Sequence, residues 1–308
     1  MRSAGIHHIT AIAGDPQTNL DFYAETLGLR LVKRTVNFDD PGSYHFYFGD
    51  NVGNPGTIIT FFPWPGARRG TRGSGQVTII SFAIPPNSMA FWKERLEANH
   101  VAAEEINDRF GSKVLRFLDP DGLMLELIES PVVPSEGPMG HNIGGFAAPT
   151  LEVRQLERTE KLLFEILEFE FVGEQDNRRR LRGSGSNAAA VDLVSSDAGF
   201  GLVAVGTVHH IAFRVANDEE QLHAREELVT RGLNVTPVID RQYFHSIYFR
   251  EPNGILFEVA TDGPGFLIDE SADELGESLK LPPMYESARS EIERVLPAIQ
   301  LQHHAAAS

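Results

Sequence analysis

The sequence predicts an α+β protein built from four copies of one βαβββ unit. Three observations carry that prediction. Short apolar or alternating runs, the mark of strands, recur in groups of four; a helix-period segment follows the first run of each group; and glycine or proline closes elements at comparable points in the copies.

Unit one, residues 5–65, opens with the alternating strand IHHITAIA. Asp15-Pro16 starts the amphipathic helix QTNLDFYAETL, Gly28 stops it, and LRLVKRTVNF, YHFYFG and TIITFF follow as strands. Unit two, residues 76–130, repeats the order with VTIISFAIP, a helix over 88–99, then VAAEEIN, SKVLRFLDP and GLMLELIE. Unit three, residues 145–195, is fainter: FAAPTLEV, a helix within 157–167, FEFVGEQ, RRLRG and AAVDLVS. Unit four, residues 208–263, is the clearest copy, with VHHIAFRVA, a helix over 219–231 closed by Gly232, then LNVTPVID, FHSIYFREP and GILFEVATD.

Residues 66–75 (GARRGTRGSG) and 131–145 are rich in Gly, Pro and Ser and read as linkers. The glycines of GTRGSG follow no strand and open no helix, so a loop is expected and not a phosphate cradle. RRRLR, residues 178–182, alternates within a strand and reads as a solvated edge or a set of ion pairs. The expected division is an N-terminal domain over 1–135 and a C-terminal domain over 136–268, each of two units, with a tail over 269–308 that holds a helix near 285–295. His303 and His304, in LQHHAAAS, read as a frayed end.

Composition narrows the function. A chain of 308 residues with 42% hydrophobic and 23% charged residues has globular proportions, and no apolar run approaches a membrane span. The opening residues lead straight into a strand, without the apolar stretch of a secretory signal, so a cytoplasmic location is expected. The absence of cysteine removes disulfides, thiolate metal sites and a Cys nucleophile, leaving His, Asp and Glu as metal ligands. A net charge of −16 argues against nucleic acid and anionic membranes as partners. A small molecule is the expected partner.

Strand alternation divides the two histidine pairs. In GIHHIT, His7 shares a face with Ile9 and Ala11, and His8 shares the other with Thr10. In VHHIAFRV, His209 shares the apolar face of Ile211, Phe213 and Val215, while His210 sits with Ala212 and Arg214. GILFEVATD sets Glu258 opposite Phe257 and Val259, and a buried carboxylate there calls for a cation, a metal or a proton. Aligned on final strands, Glu258 matches Glu126 of unit two and Thr60 of unit one; aligned on first strands, His8 and His210 match Ile79 of unit two.

The ligand candidates thus belong to units one and four. If those units pair, one cavity holds His8, His210 and Glu258, with Thr60 where a fourth ligand would stand. Two histidines and one carboxylate with open positions suit a non-haem Fe(II) site that also admits substrate and O2. A closed structural zinc site takes four ligands. Glu126, without a histidine, is expected in an ion pair or in solvent.

The βαβββ repeats with HHIT, VHHIAF and GILFEVATD resemble the vicinal oxygen chelate superfamily, the glyoxalase, bleomycin-resistance and extradiol-dioxygenase group. LRLVKRTVNFDDPGSYHFYFGDNVGNPGT, FHSIYFREPNGILFE and LKLPPMYES are similar to the hydroquinone ring-cleaving dioxygenases within it. The resemblance implies units paired into two curved mixed sheets, and Fe(II) on His8, His210 and Glu258. It also implies supporting roles for His7, Thr10, His209, Arg241 and Tyr248. Tyr248 or His209 would be the acid–base group, and Arg241 would hold a substrate oxygen.

The implied activity is an Fe(II)-dependent, extradiol-type dioxygenase that inserts O2 into a hydroquinone-like or other phenolic ring, with Mn(II) as the alternative metal. Its partners would be a small aromatic substrate and O2, and a homo-oligomer is left open. A glyoxalase-type isomerase or lyase typically needs a fourth protein ligand, and Thr60 offers none. A non-catalytic binding protein of the resistance type remains the third reading. Arg241 and Tyr248 could equally be a turn arginine and a half-buried strand aromatic, and His45 a cavity wall or an ordinary strand residue.

Overall fold

A computed structural model describes residues 2–131, 133 and 141–301. His303 and His304 lie outside the described residues, as does most of the linker before unit three. Sixteen strands form two eight-stranded mixed sheets, and the units pair in a nested order. Sheet one joins unit one, β1 (Ile6–Ala13), β2 (Arg30–Asn37), β3 (Asp40–Gly49) and β4 (Ile58–Pro63), to unit four, β13 (Thr207–Val215), β14 (Ile239–Asp240), β15 (Phe244–Arg250) and β16 (Leu256–Pro264). Sheet two joins unit two, β5 (Gln76–Ile84), β6 (Ala103–Arg109), β7 (Ser112–Leu118) and β8 (Met124–Glu129), to unit three, β9 (Thr150–Val153), β10 (Glu170–Gln175), β11 (Arg178–Arg182) and β12 (Ala190–Ser195). Residues 1–135 and 136–268 therefore each give one unit to each sheet.

Local chemistry sets the element ends. The Asp15 side chain accepts from Thr18 N and Pro16 takes the first helical position, so α1 (Pro16–Asp21) starts where the sequence predicts. It continues as a π-helical turn over Phe22–Thr26. Units two and three carry α2 (Met89–Ala98) and α3 (Leu156–Glu165). Asn217 caps α4 (Asp218–Thr230) by accepting from Glu220 N, and three acidic residues in the first turn favour its positive end. Gly232, at φ 82°, lets the chain leave that helix in the left-handed region.

Three expectations change. LNVTPVID yields only the two-residue β14, because Pro237 has no N–H to give a ladder. RRRLR is not an edge, since β11 lies between β10 and β12. The tail helix is 3-10 over Pro283–Ala288 before becoming α5 (Arg289–Val295).

The linker over 66–75 is a loop, and it pairs with the link between units three and four. Single bridges join Arg69 to Val205, Thr71 to Leu202 and Ser74 to Phe200. A Cβ at Gly73 would stand 2.4 Å from the Gly199 carbonyl oxygen, which explains a glycine there.

One apolar cluster joins both sheets, with Ile9, Ile211, Phe213 and Phe257 from sheet one and Phe82, Leu125, Leu127 and Leu151 from sheet two. Burying each of these side chains contributes about 1.5–3 kcal/mol. A smaller cluster, including Val32, Tyr47, Ala212, Phe244 and Phe266, covers the opposite face of sheet one. The tail crosses β2: Lys280 N donates to Arg34 O, and Lys33 Nζ, fully buried, donates to Asp269 (2.6 Å) and also to Glu270. Among the described residues no helix is long and apolar enough to cross a membrane.

Candidate metal centre

His8, His210 and Glu258 converge on the face of sheet one that carries Ala212. Across the strands His8 pairs with Ala212, and Ala212 pairs with Glu258, so the histidine and the acid flank one small, fully buried residue. His210 pairs with Thr10, which pairs in turn with Thr60. His8 Nε2 lies 3.3 Å from His210 Nε2 and 3.2 Å from Glu258 Oε2, and His210 Nε2 is 2.9 Å from that same oxygen. One ligand atom from each of the three buried residues falls within 4.8 Å of the others.

These residues fit a metal ion. Glu258 Oε2 is buried without a well-formed hydrogen bond, while Oε1 accepts from Ser246 Oγ. Burial alone would raise the Glu258 carboxyl, but His8 and His210 beside it hold it well below the usual carboxylate range. Burial also lowers the His210 imidazole, against the pull of Glu258. An anionic oxygen and two imidazole nitrogens thus share one point that a cation would satisfy.

The histidine pairs depart from simple alternation. The ladder between β1 and β13 slips by one residue at His7 and again at His209, so each is the extra residue of a bulge. Each bulge brings the first imidazole of its pair beside the second: His7 Nδ1 to His8 Nδ1 is 2.9 Å, and His209 Nδ1 to His210 Nδ1 is 2.8 Å. With Nε2 of His8 and His210 free to ligate, Nδ1–H of each donates to its neighbour, which fixes ring and tautomer. His7 packs on the ring of Phe244 and His209 on Phe62, so His209 does not join the apolar face of Ile211 and Phe213. Burial, then the adjacent His210, pushes His209 down to about 3, and burial with His8 takes His7 well below its ordinary value.

A sequence-family comparison matches residues 5–127 and 145–259 to the glyoxalase/bleomycin resistance protein/dioxygenase superfamily. The chain belongs to that superfamily. It is 48% identical over 306 residues, 96% of each chain, to MhqO of Bacillus subtilis (strain 168), named as a candidate ring-cleaving dioxygenase. It is 35% identical over 316 residues, again 96% of each, to the chlorohydroquinone/hydroquinone 1,2-dioxygenase of Sphingobium indicum. A crystal structure titled as a candidate dioxygenase from Bacillus subtilis superposes with a TM-score of 0.95 at 48% identity, covering 98% of this chain and 99% of that one. The two curved α+β sheets are the fold of the superfamily.

The other residues singled out from the sequence lie around His8, His210 and Glu258. The Tyr248 ring stands 5.7 Å from the His210 ring, and its hydroxyl accepts from Arg241 Nε at 3.1 Å. Arg241 also lies over that ring, 5.2 Å from its centroid, and reaches Asp39 at 3.3 Å. Burial and the Glu258 charge raise the Tyr248 phenol, which stays protonated at neutral pH. Thr60 Oγ1 is 2.8 Å from Thr10 Oγ1 and 2.8 Å from His45 Nε2. His45 is thereby tied to the strand neighbour of Thr10, next to the His8 and His210 cluster. Its stacking neighbours in YHFYF were visible in the sequence, but nothing there separated wall from strand.

Sheet two has the same plan without the histidines, Ile79 standing opposite Thr150 as His210 stands opposite Thr10. Glu126 pairs with Ser81 as Glu258 pairs with Ala212, and Asp192 pairs with Thr150 as Thr60 pairs with Thr10. A bulge recurs at Thr78, where the ladder between β5 and β9 slips. Glu126 is clamped by Arg109 Nη1 at 2.7 Å and by Arg116 Nη2 at 2.8 Å, the ion-pair outcome expected of an acid without histidines. Asp192 receives Arg178 and Arg180, which gives the alternate arginines of RRRLR their partners.

Proposed function

We propose that this chain is a ring-cleaving dioxygenase that holds Fe(II) on His8, His210 and Glu258 and opens a hydroquinone-like ring with O2. The observation that carries the reading is the convergence of three lone-pair atoms with no fourth protein ligand among the described residues: Thr60, where a fourth acid would stand, is a neutral hydroxyl engaged by Thr10 and His45. The hydroquinone dioxygenase named among the relatives supports the substrate class.

When bound there, the ion supplies open positions for a phenolate and for O2 and the electron exchange between them. The chain's own residues do the rest. His7 and His209 orient the two ligand imidazoles through Nδ1. His209, uncharged at neutral pH, accepts from His210 with Nδ1 and so carries its own proton on Nε2, which suits it to a neutral donor and not to a base. Arg241 donates to the Tyr248 oxygen, which leaves the Tyr248 O–H free to donate to a substrate oxygen beside His210. Phe244 and Phe62 pack against the supporting imidazoles and keep bulk water from them.

The test is anaerobic loading with Fe(II), addition of hydroquinone, and admission of air with an oxygen electrode. The expected result is O2 uptake matched to loss of the aromatic absorbance. No uptake with any phenol, combined with tight Ni(II) or Zn(II) binding and turnover of a thiol adduct, would replace this reading with the isomerase.

A further inference from the structure

The two halves of sheet one place a tyrosine at the same register. Tyr248 on β15 pairs with Glu258, the acid of unit four, and Tyr47 on β3 pairs with Thr60, the residue that takes that acid's place in unit one. Serine and histidine correspond in the same way: Ser246 bonds Glu258, and His45 bonds Thr60. The two tyrosines thus hold counterpart registers on either side of His8 and His210, one beside the strand that supplies the carboxylate and one beside the strand that supplies none.

Their hydroxyls differ. That of Tyr248 is engaged by Arg241. Tyr47 is only 2% exposed, yet its hydroxyl has no hydrogen-bond partner among the described residues. The ring itself is fixed, with His45 at 4.1 Å, Phe266 at 5.2 Å and Tyr243 at 6.2 Å between centroids. Burial raises the Tyr47 phenol, and the charges of Tyr248, Arg241 and Glu258 act on it as well. A rigid phenol with a spare hydroxyl, held almost out of water, is suited to reading a ligand oxygen.

We propose that Tyr47 recognises the substrate oxygen remote from the metal and so makes the site selective for rings that carry two oxygens over simple phenols. The inference rests on the ring-cleaving reading of the site. An aromatic ring with one oxygen at His8, His210 and Glu258 and its body reaching toward the Thr60 flank presents its second oxygen to Tyr47. A site built to hydrogen-bond a substrate hydroxyl discriminates against the analogue that lacks it.

Calorimetric titration of the Fe(II)-loaded protein without oxygen, using hydroquinone and phenol as ligands, tests this with no turnover. Wild type is expected to bind hydroquinone about tenfold more tightly than phenol, the worth of one net hydrogen bond. Tyr47→Phe keeps the ring contacts and should bring the two affinities close to parity by weakening hydroquinone alone. Parity in the wild type, an equal loss for both ligands in the variant, or an unchanged preference in the variant each overturns the assignment. If Tyr47→Phe melts early, the wild-type preference decides by itself. Failure of the wild type to bind either ring sinks the ring-cleaving reading and this inference with it, whereas turnover with an unchanged preference in Tyr47→Phe sinks this inference alone.

Discussion

Glu258 and Glu126 hold the same position in two sheets built to one plan, yet Glu258 faces two imidazoles and Glu126 is clamped by two guanidiniums. The same buried carboxylate is answered in one sheet by two imidazoles and in the other by arginine. Metal binding should therefore follow Glu258 only. Glu258→Gln and His8→Ala are expected to weaken Fe(II) or Mn(II) binding at least about 100-fold, read as metal per chain by elemental analysis after desalting. Glu126→Leu should keep the metal and lose about 3–5 kcal/mol of stability, because Arg109 and Arg116 are left without their anion. Metal retained by Glu258→Gln would refute the site.

His7 should act on the metal and not on the fold. His7→Phe keeps the ring against Phe244 and removes Nε2, a buried atom without a partner. The expected outcome is metal affinity lowered about 10–100-fold, with an unfolding midpoint equal to or above that of the wild type. A variant that lost both together would make His7 a packing residue.

Lys33 pins the tail. Its ammonium is fully buried against Asp269 and Glu270, and Asp269 also accepts from the Tyr243 hydroxyl at 3.0 Å. Lys33→Met strands those carboxylates and should cost about 3–5 kcal/mol. Limited proteolysis should then cut first within residues 265–301, and a tail that resists as in the wild type would argue against the anchor.

Asp119 gives stability a pH dependence. Burial raises its carboxyl to about 7, against the hydrogen bonds from Leu123 N, Asp121 N and the Tyr23 hydroxyl. The folded state therefore holds a proton that the unfolded chain has lost between about pH 4 and pH 7, so stability falls as pH rises through that window. Asp119→Asn keeps an acceptor for the two backbone N–H groups and cannot ionise. Urea midpoints at pH 5 and pH 8 should lie closer together in the variant than in the wild type, and an unchanged gap would remove Asp119 as the cause.

Much of this was legible in the residues. The four units followed from the spacing of strand and helix periods, and Glu258 stood out as an acid among Phe257, Val259 and Ile255. His8 and His210 were reached by alternation, although alternation does not hold at their neighbours. A bulge leaves no mark in HHIT or VHHIAF, so the close approach of His7 to His8 could not be read there. Partners set by tertiary pairing were hidden too. Tyr47 reads as one aromatic among several in YHFYFG, and nothing in VKR says that Lys33 will be buried beneath residues 266–270. Pro237 was the exception, a visible signal against the strand assigned to LNVTPVID.

The nested pairing carries a consequence for how the molecule comes into being. Units two and three are neighbours in the chain and can complete their sheet from residues 76–195 alone. His8 must wait for a partner 202 residues further on. Closing contacts over such separations slows folding. During synthesis unit one leaves the ribosome long before the unit it pairs with, whereas units two and three emerge one after the other. An ion held at the proposed site would then report that the two ends of this nested order have met.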